Sequence, residues 1–89
     1  MEYPKVIITI KFKTDKEVFT GESEMIDWKY PMPSKGDCFD LFSESMELEF
    51  IFPSREDREA IKGNIFPYQF KDYIFTETGF VLVFRLGDW

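Results

Sequence analysis

Five carboxylates between residues 36 and 54 are the first side chains whose types and spacing could support chemistry. The segment has no lysine or arginine, and its acidic residues are Asp37, Asp40, Glu44, Glu47 and Glu49. Oxygen ligands of this kind bind Ca²⁺ or Mg²⁺, but the spacing does not match the D-x-[DN]-x-[DN]-G calcium loop. Glu47 and Glu49 alternate with apolar residues, which is typical of the solvated face of a strand. We therefore predict no metal site and keep a divalent-metal or small-ligand site, built on residues 37–49, as the alternative function.

The sequence contains few side chains that could serve in nucleophilic or acid–base catalysis. Histidine is absent and Cys38 is the single cysteine, so triads, histidine catalysis, His/Cys zinc sites and internal disulfides are excluded. Lys35 is the only cation near Cys38, and Asp37 opposes it; we expect a buried, unreactive thiol. Nothing selects one carboxylate pair for glycoside hydrolysis, and so small a domain has little room for a substrate cleft. The sequence predicts a protein that is not an enzyme and has no cofactor.

Apolar side chains near turns are the candidates for binding. The predicted contact residues are Trp28, Tyr30, Met32 and Trp89. If Trp28 and Tyr30 are exposed beside Met32, they form an apolar patch of the kind that binds partners. In the alternative, Trp28 closes the core. Trp89 either caps the end of the fold or meets a partner, and a free sheet edge offers a second docking strip.

Composition sets the class of protein. The chain has 89 residues, with 11 Lys+Arg and 17 Asp+Glu, so the net charge is 11 − 17 = −6. Eleven Phe, four Tyr and two Trp in so short a chain favour a globular core rather than disorder. Lys5, Lys11 and Lys13 form one stripe, which we interpret as protection of a sheet edge rather than a nucleic-acid site. We predict a single domain over 1–89, cytoplasmic, binding neither nucleic acid nor membrane.

Apolar alternation predicts the elements that must position these side chains. We expect strands over residues 5–13, 17–29 with a bulge at Gly21, 38–42 and 46–52, and a closing hairpin over 68–77 and 80–86 through Thr78-Gly79. Ser54 is a good helix N-cap and Gly63-Asn64 a good stop, which predicts one short helix between strands. Residues 80–84 are apolar at every position, which indicates a central strand covered on both faces. The fold class is mainly β with a small α component: a strongly bent antiparallel sheet, or small barrel, of about six strands with one short inserted helix.

The segment from Trp28 to Phe39 carries a resemblance to a known type of fold. It contains an aromatic strand end, the P-x-x-G-D turn of Pro33 to Asp37 and an immediate new strand. This pattern resembles that of small uncharacterised bacterial β-barrel proteins of the SH3-like type. The resemblance implies an SH3-like barrel and no activity.

These observations predict a non-enzymatic protein-interaction module. The aromatic surplus and the acidic surface are the features that motivate it. We expect the partner to be another protein or a second copy of the chain.

Overall fold

The computed structural model describes residues 3–41 and 52–89, which form a strongly curled half-barrel sheet and one helix. In chain order the elements are β1 (Lys5–Lys13), β2 (Val18–Glu22), β3 (Ile26–Asp27), β4 (Cys38–Phe39), α1 (Arg55–Ile61), β5 (Phe66–Thr76) and β6 (Gly79–Gly87). The strand order is β2-β1-β6-β5-β4, and β3 pairs with β1 as well. The mainly β class, with six strands in a bent sheet and one short helix, is thereby confirmed.

The two central strands, β1 and β6, run parallel. Their register pairs Val6 with Leu82 and Lys11 with Gly87. The other strand pairs are antiparallel, so the expected antiparallel sheet contains one parallel pair. The Thr9 hydroxyl, buried on the outer face, donates a hydrogen bond of 3.0 Å to the Phe84 carbonyl oxygen and satisfies its polar group there.

The core fills the concave face of the sheet, which we call the inner face. Alternation along β1 buries Val6, Ile8 and Ile10 completely, because successive strand side chains point to opposite faces. The buried core cluster consists of Val6, Ile8, Ile10, Trp28, Phe39, Leu41, Phe52, Ile61, Phe66, Tyr68, Leu82, Phe84 and Leu86. Leu82, Val83 and Phe84 are all buried, so β6 is a covered central strand over the second part of the apolar run 80–84. Phe80, at the start of that run, is 51 % exposed, because the pairing of β6 with β1 begins only at Leu82.

The predicted second strand over 17–29 is two strands, β2 and β3. The interruption falls after Glu22 rather than at Gly21. Ser23 accounts for it: its hydroxyl oxygen accepts a bond of 2.8 Å from the Ile8 N–H, while its own N–H donates one of 2.8 Å to the Ile8 carbonyl. The Ser23 side chain thus takes the place of a backbone carbonyl as the acceptor for the Ile8 N–H, and the backbone pairing of β1 is interrupted between β2 and β3.

The remaining elements follow the sequence signals where they are described. The Ser54 hydroxyl oxygen accepts from the Asp57 N–H at 3.3 Å and begins α1, and Ile61 anchors the helix in the core. The expected strand over 38–42 is described as the two residues of β4. The expected strand over 46–52 lies outside the described residues except for Phe52, which is fully buried.

The closing hairpin of β5 and β6 is longer than the sheet that supports it. Thr76 pairs with Gly79 across a turn of Glu77 and Thr78, so Gly79 already belongs to the strand rather than to the turn. The pairing of β6 with β1 begins only at Leu82. We call residues 73–81 the hairpin tip, and residues 66–72 with 82–87 the hairpin base.

Candidate interaction surface

The hairpin tip carries large apolar side chains that the core does not cover. Phe75 is 81 % exposed and Phe80 is 51 % exposed. Tyr73 and Ile74 are about half exposed as well. Contiguous exposed apolar groups of this size mark interaction surfaces more often than isolated exposed residues do.

Three of these rings form one cluster on the inner-face side of the tip. Tyr73 pairs with Leu82 and Phe75 pairs with Phe80, so their side chains continue the face to which the core residue Leu82 belongs. The ring centroids of Tyr73 and Phe80 lie 5.5 Å apart, and those of Phe75 and Phe80 lie 6.2 Å apart. This aromatic cluster is an extension of the core side of the sheet into solvent.

A β-bulge decides which residues reach that cluster. The β5–β6 register shifts between Tyr68 and Phe70, and the Gln69 side-chain amide donates a bond of 2.7 Å to the Gly87 carbonyl. Because one extra residue reverses the alternation, Phe70 turns to the outer face opposite Arg85, and Tyr73 and Phe75 turn inward. Tyr68, the last residue before the bulge, points into the core. Its burial, with a smaller contribution from the nearby Tyr73 hydroxyl, raises the pKa of the Tyr68 hydroxyl.

The second feature of the tip is an open backbone edge. β4 pairs with β5 only at Phe66 and Pro67, and the turn before β4 reaches no further than Tyr68. From residue 70 to residue 76, no strand of the described chain pairs with the side of β5 that faces away from β6. We call this the open edge of β5. Half of its backbone N–H and C=O groups point away from β6 and pair with no strand of residues 3–41 and 52–89.

An ion pair marks the place where the tip leaves the sheet. The Lys5 ammonium contacts the Asp27 carboxylate, joining β1 to β3 at their first paired position. The hydrogen bond from Lys5 lowers the pKa of Asp27, with Coulombic attraction to Lys5 and Lys29 acting in the same direction. Beside it, Tyr3, Met25 and Phe80 line an open depression next to the β6 strand of the tip.

Two of the four predicted contact residues belong to the core region. Trp28 is 2 % exposed; its ring lies 4.9 Å from that of Phe84 and 5.1 Å from that of Tyr30. Its indole N–H donates to the Pro31 carbonyl at 3.2 Å. Trp28 therefore closes the core, which was the alternative interpretation, and it is not available as a surface contact. Tyr30 is partly buried against the same cluster.

The other two predicted contact residues are exposed but lie apart. Met32 is exposed in the proline-rich loop. Trp89 is 38 % exposed and stacks on the outer face, 4.6 Å from the Arg85 guanidinium and 5.3 Å from the Lys11 ammonium. Since Trp28 packs on Phe84 and Trp89 on the next residue of β6, the two tryptophans are on opposite faces of the sheet. The four residues do not form one surface.

The expectations for the lysine stripe and the thiol need correction. β1 is paired on both sides, so Lys5, Lys11 and Lys13 do not protect a sheet edge. Lys5 makes the Asp27 ion pair and Lys11 lies over the Trp89 ring, while Lys13 pairs with Val18 of β2. Cys38 is exposed rather than buried. Its neighbour Phe39 takes the core position of this short edge strand, and alternation turns the thiol outward.

The P-x-x-G-D turn uses its acidic residue for its own geometry. Gly36 has a φ of 95°, which glycine adopts without strain. The Asp37 carboxylate accepts a bond of 2.8 Å from the Ser34 N–H, and the Asp37 carbonyl accepts one of 2.7 Å from the Tyr68 N–H. Glu44, Glu47 and Glu49 lie outside the described residues. Within 3–41 and 52–89, no group of three or more Cys, Asp or Glu side chains is arranged to hold a metal ion.

Comparison with known proteins identifies no relative of this chain. Searches against protein-family models, curated proteins and solved structures give no match. The resemblance to SH3-like barrels therefore stays a prediction. No described helix has the length and apolar character that a membrane crossing requires.

Sequence reasoning identified the closing hairpin but not its tip as a surface. The run of residues 73–75 is as apolar as the buried run of residues 82–84, so composition does not distinguish them. The length of the predicted strand over 68–77 is the one sequence feature that indicates an exposed tip, since a partner strand as short as β4 covers only part of it.

Proposed function

We propose that this chain is a non-enzymatic protein-interaction domain that receives its partner at the hairpin tip. The observation that carries the proposal is the exposed aromatic cluster of Tyr73, Phe75 and Phe80 next to the open edge of β5. The sequence supplies neither histidine nor a second cysteine for the common catalytic arrangements. We place the domain in the cytoplasm, where a single exposed cysteine stays reduced.

Folding alone does not account for the residue types at the tip. A ring that stays in water contributes little of the roughly 1.5–3 kcal/mol that a buried phenylalanine provides. An isolated two-stranded hairpin is also marginally stable in water, so the tip depends on the base for its structure. Polar residues would serve a hairpin of this length equally well if no partner covered it.

The expected mode of binding is strand addition. A partner strand along the open edge of β5 would gain backbone hydrogen bonds, and the aromatic cluster would provide side-chain contacts that select the sequence. Aromatic residues are enriched among the contacts that dominate binding energy. Among the residues predicted from sequence, Met32 and Trp89 lie elsewhere and are secondary candidates in this proposal.

Site-specific photo-crosslinking tests the location of the surface. A photoreactive phenylalanine analogue replaces Phe75 in one variant and Val18 in a control variant; Val18 is 52 % exposed on β2. We expect discrete protein adducts from position 75 in intact cells and none from position 18. Identical adducts from both positions, or none from position 75, would contradict the proposal.

A further inference from the structure

We infer that the partner at the open edge of β5 is a second copy of this chain, paired antiparallel with its own β5 about a two-fold axis at Ile74. The inference rests on the proposed function, because it names the occupant of the same surface. Its basis is that the edge is complementary to itself in one register and not in the neighbouring ones.

A two-fold axis perpendicular to a sheet keeps inner-face residues on the inner face. Each residue must therefore oppose a residue of its own face, and the axis passes through a residue rather than between two. With the axis at Ile74, Tyr73 of each copy opposes Phe75 of the other, and Asp72 opposes Thr76. Lys71 then opposes Glu77, so opposite charges meet at both ends of the paired segment.

Neighbouring registers lack this match. An axis at Lys71 or Asp72 sets that charge against its own copy, which is destabilising. An axis at Tyr73 sets Asp72 against Ile74 and Lys71 against Phe75, so charged groups face apolar ones. An axis at Phe75 sets Tyr73 against Glu77 and Lys71 against Gly79, so no opposite charges meet. Within the described residues, neither Lys71 nor Glu77 has an ion-pair partner of its own chain, the ion pairs there being Lys5–Asp27 and Arg85–Asp72.

The same register joins the aromatic clusters of the two copies. Tyr73, Phe75 and Phe80 form a cluster on the inner side of each tip, and pairing Tyr73 with Phe75 across the axis makes these clusters one continuous layer. On the outer side, Ile74 meets Ile74. Burial of rings that are half or more exposed in one chain supplies the apolar gain of association.

The opposite end of the sheet offers no comparable edge. β2 has only five residues and contains Gly21, and Glu17 and Glu22 border its apolar positions. Short strands and flanking charges are the devices that prevent edge-to-edge pairing. From residue 73 to residue 76 the open edge of β5 has no charge, proline or glycine, so pairing is directed to that side.

Charge reversal tests both the occupant and the register. The mass of the full chain in solution is measured by sedimentation over a wide range of concentration at constant salt. We expect a wild-type dimer, and about a fivefold to thirtyfold weaker dimer for Lys71→Glu and for Glu77→Lys, since each change turns two attractive pairs into repulsive ones. The double variant K71E/E77K should return to within about twofold of the wild type, because it restores both pairs with reversed polarity.

A lysine at the axis provides the second variant and its matched control. Ile74→Lys sets two ammonium groups against each other and should leave a folded monomer, whereas Val18→Lys should remain dimeric. Ile74 and Val18 are 49 % and 52 % exposed, so the two changes place the same side chain at equally accessible strand positions. Circular dichroism confirms that both variants are folded.

The outcomes separate the two proposals. A monomeric wild type, or adducts of Phe75 with a different protein, would overturn the self-pairing and leave the proposed function standing. A dimer that the double variant does not restore would overturn the register. A dimer that tolerates Ile74→Lys, together with no tip-specific crosslink, would overturn both.

Discussion

The two ends of one hairpin have similar residues and opposite environments. At the base, Leu82, Phe84 and Leu86 are at most 4 % exposed, whereas at the tip Phe75 is 81 % exposed. The environment changes at Leu82, because Leu82 is the first residue of β6 that pairs with β1, opposite Val6. The residues of β6 before Leu82 have no β1 residue beside them. Apolar residues at the base thus stabilise the fold, whereas the same residue types at the tip stay exposed to solvent, which is the basis of the proposed interaction surface.

The largest expected effect comes from breaking the base while sparing the tip. Phe84→Ala should lower the free energy of unfolding by about 3–5 kcal/mol, because it leaves a cavity in the core. Phe80→Ala, four residues away on the same face, should cost about 1 kcal/mol or less, since it removes only partly exposed ring contacts. Urea unfolding of both variants measures the two free energies.

The pair of phenylalanine variants also has an association readout. Phe80→Ala should weaken binding at the tip while the chain remains folded. Equal losses of unfolding free energy in the two variants would show that the tip is part of the core, and would remove the basis of the comparison.

The backbone at the tip and at the base differs in the same way, as Gly79 and Gly87 show. Gly79 and Gly87 have φ values of 142° and 94°, so alanine is strained at either position. A Cβ at Gly87 would lie 2.1 Å from the Lys11 carbonyl oxygen, whereas a Cβ at Gly79 would meet no atom within 4 Å. Gly87→Ala should therefore cost about 1–3 kcal/mol more than Gly79→Ala, the usual range for overpacking. Thermal unfolding of both variants measures this difference, and equal melting temperatures would contradict the close packing of β6 on β1.

Much of the fold follows from local signals in the sequence. The strand over residues 5–13, the helix after Ser54 and the closing hairpin each rest on alternation or capping residues within a few positions. The break at Ser23 and the parallel pairing of β1 with β6 rest on contacts between distant residues. Periodicity contains no information about which strands are neighbours, so it predicts neither the break at Ser23 nor the parallel pairing.

The candidate site was less predictable than the fold. Trp28 was assigned to the surface in one interpretation and to the core in another, and only its contacts with Phe84 and Tyr30 decide between them. The faces of Tyr73 and Phe75 depend on the bulge at Gln69. A single inserted residue reverses the alternation that follows it, so regular alternation would have placed Phe70 inward instead.

Trp89 offers a smaller test at the end of β6 opposite the tip. Trp89→Ala should lower the free energy of unfolding by about 0.5–1 kcal/mol through loss of its stacking on Arg85 and Lys11. Association should not change, because this side chain lies on the outer face away from the tip. Chemical unfolding and sedimentation of the same variant measure both quantities, and Trp89→Phe serves as the control that keeps a ring. Normal stability with lost association would return Trp89 to the contact surface that the sequence predicted.

The smallest expected effect concerns the ion pair at the boundary between base and tip. The hydrogen bond from Lys5 lowers the pKa of Asp27 below its usual 3.8, so the folded chain holds this carboxylate charged more readily than the unfolded chain does. Its contribution to stability is therefore fully present above about pH 4 and is lost as the pH falls through the lowered pKa of the folded state. Both partners are well exposed, so solvent screening keeps the contribution small.

Melting temperatures between pH 7 and pH 2 isolate this contribution when Asp27→Asn is compared with Asp15→Asn. Asp15 lies in the exposed turn between β1 and β2 and has no ion pair among the described residues, so its variant controls for the loss of one carboxylate. Asp27→Asn should melt slightly lower than the control at neutral pH, and the two curves should converge in acid. Curves that stay parallel over the whole range would show that Lys5 does not hold β3 on β1 through this carboxylate. The tip would then leave the sheet at a boundary fixed by backbone pairing alone.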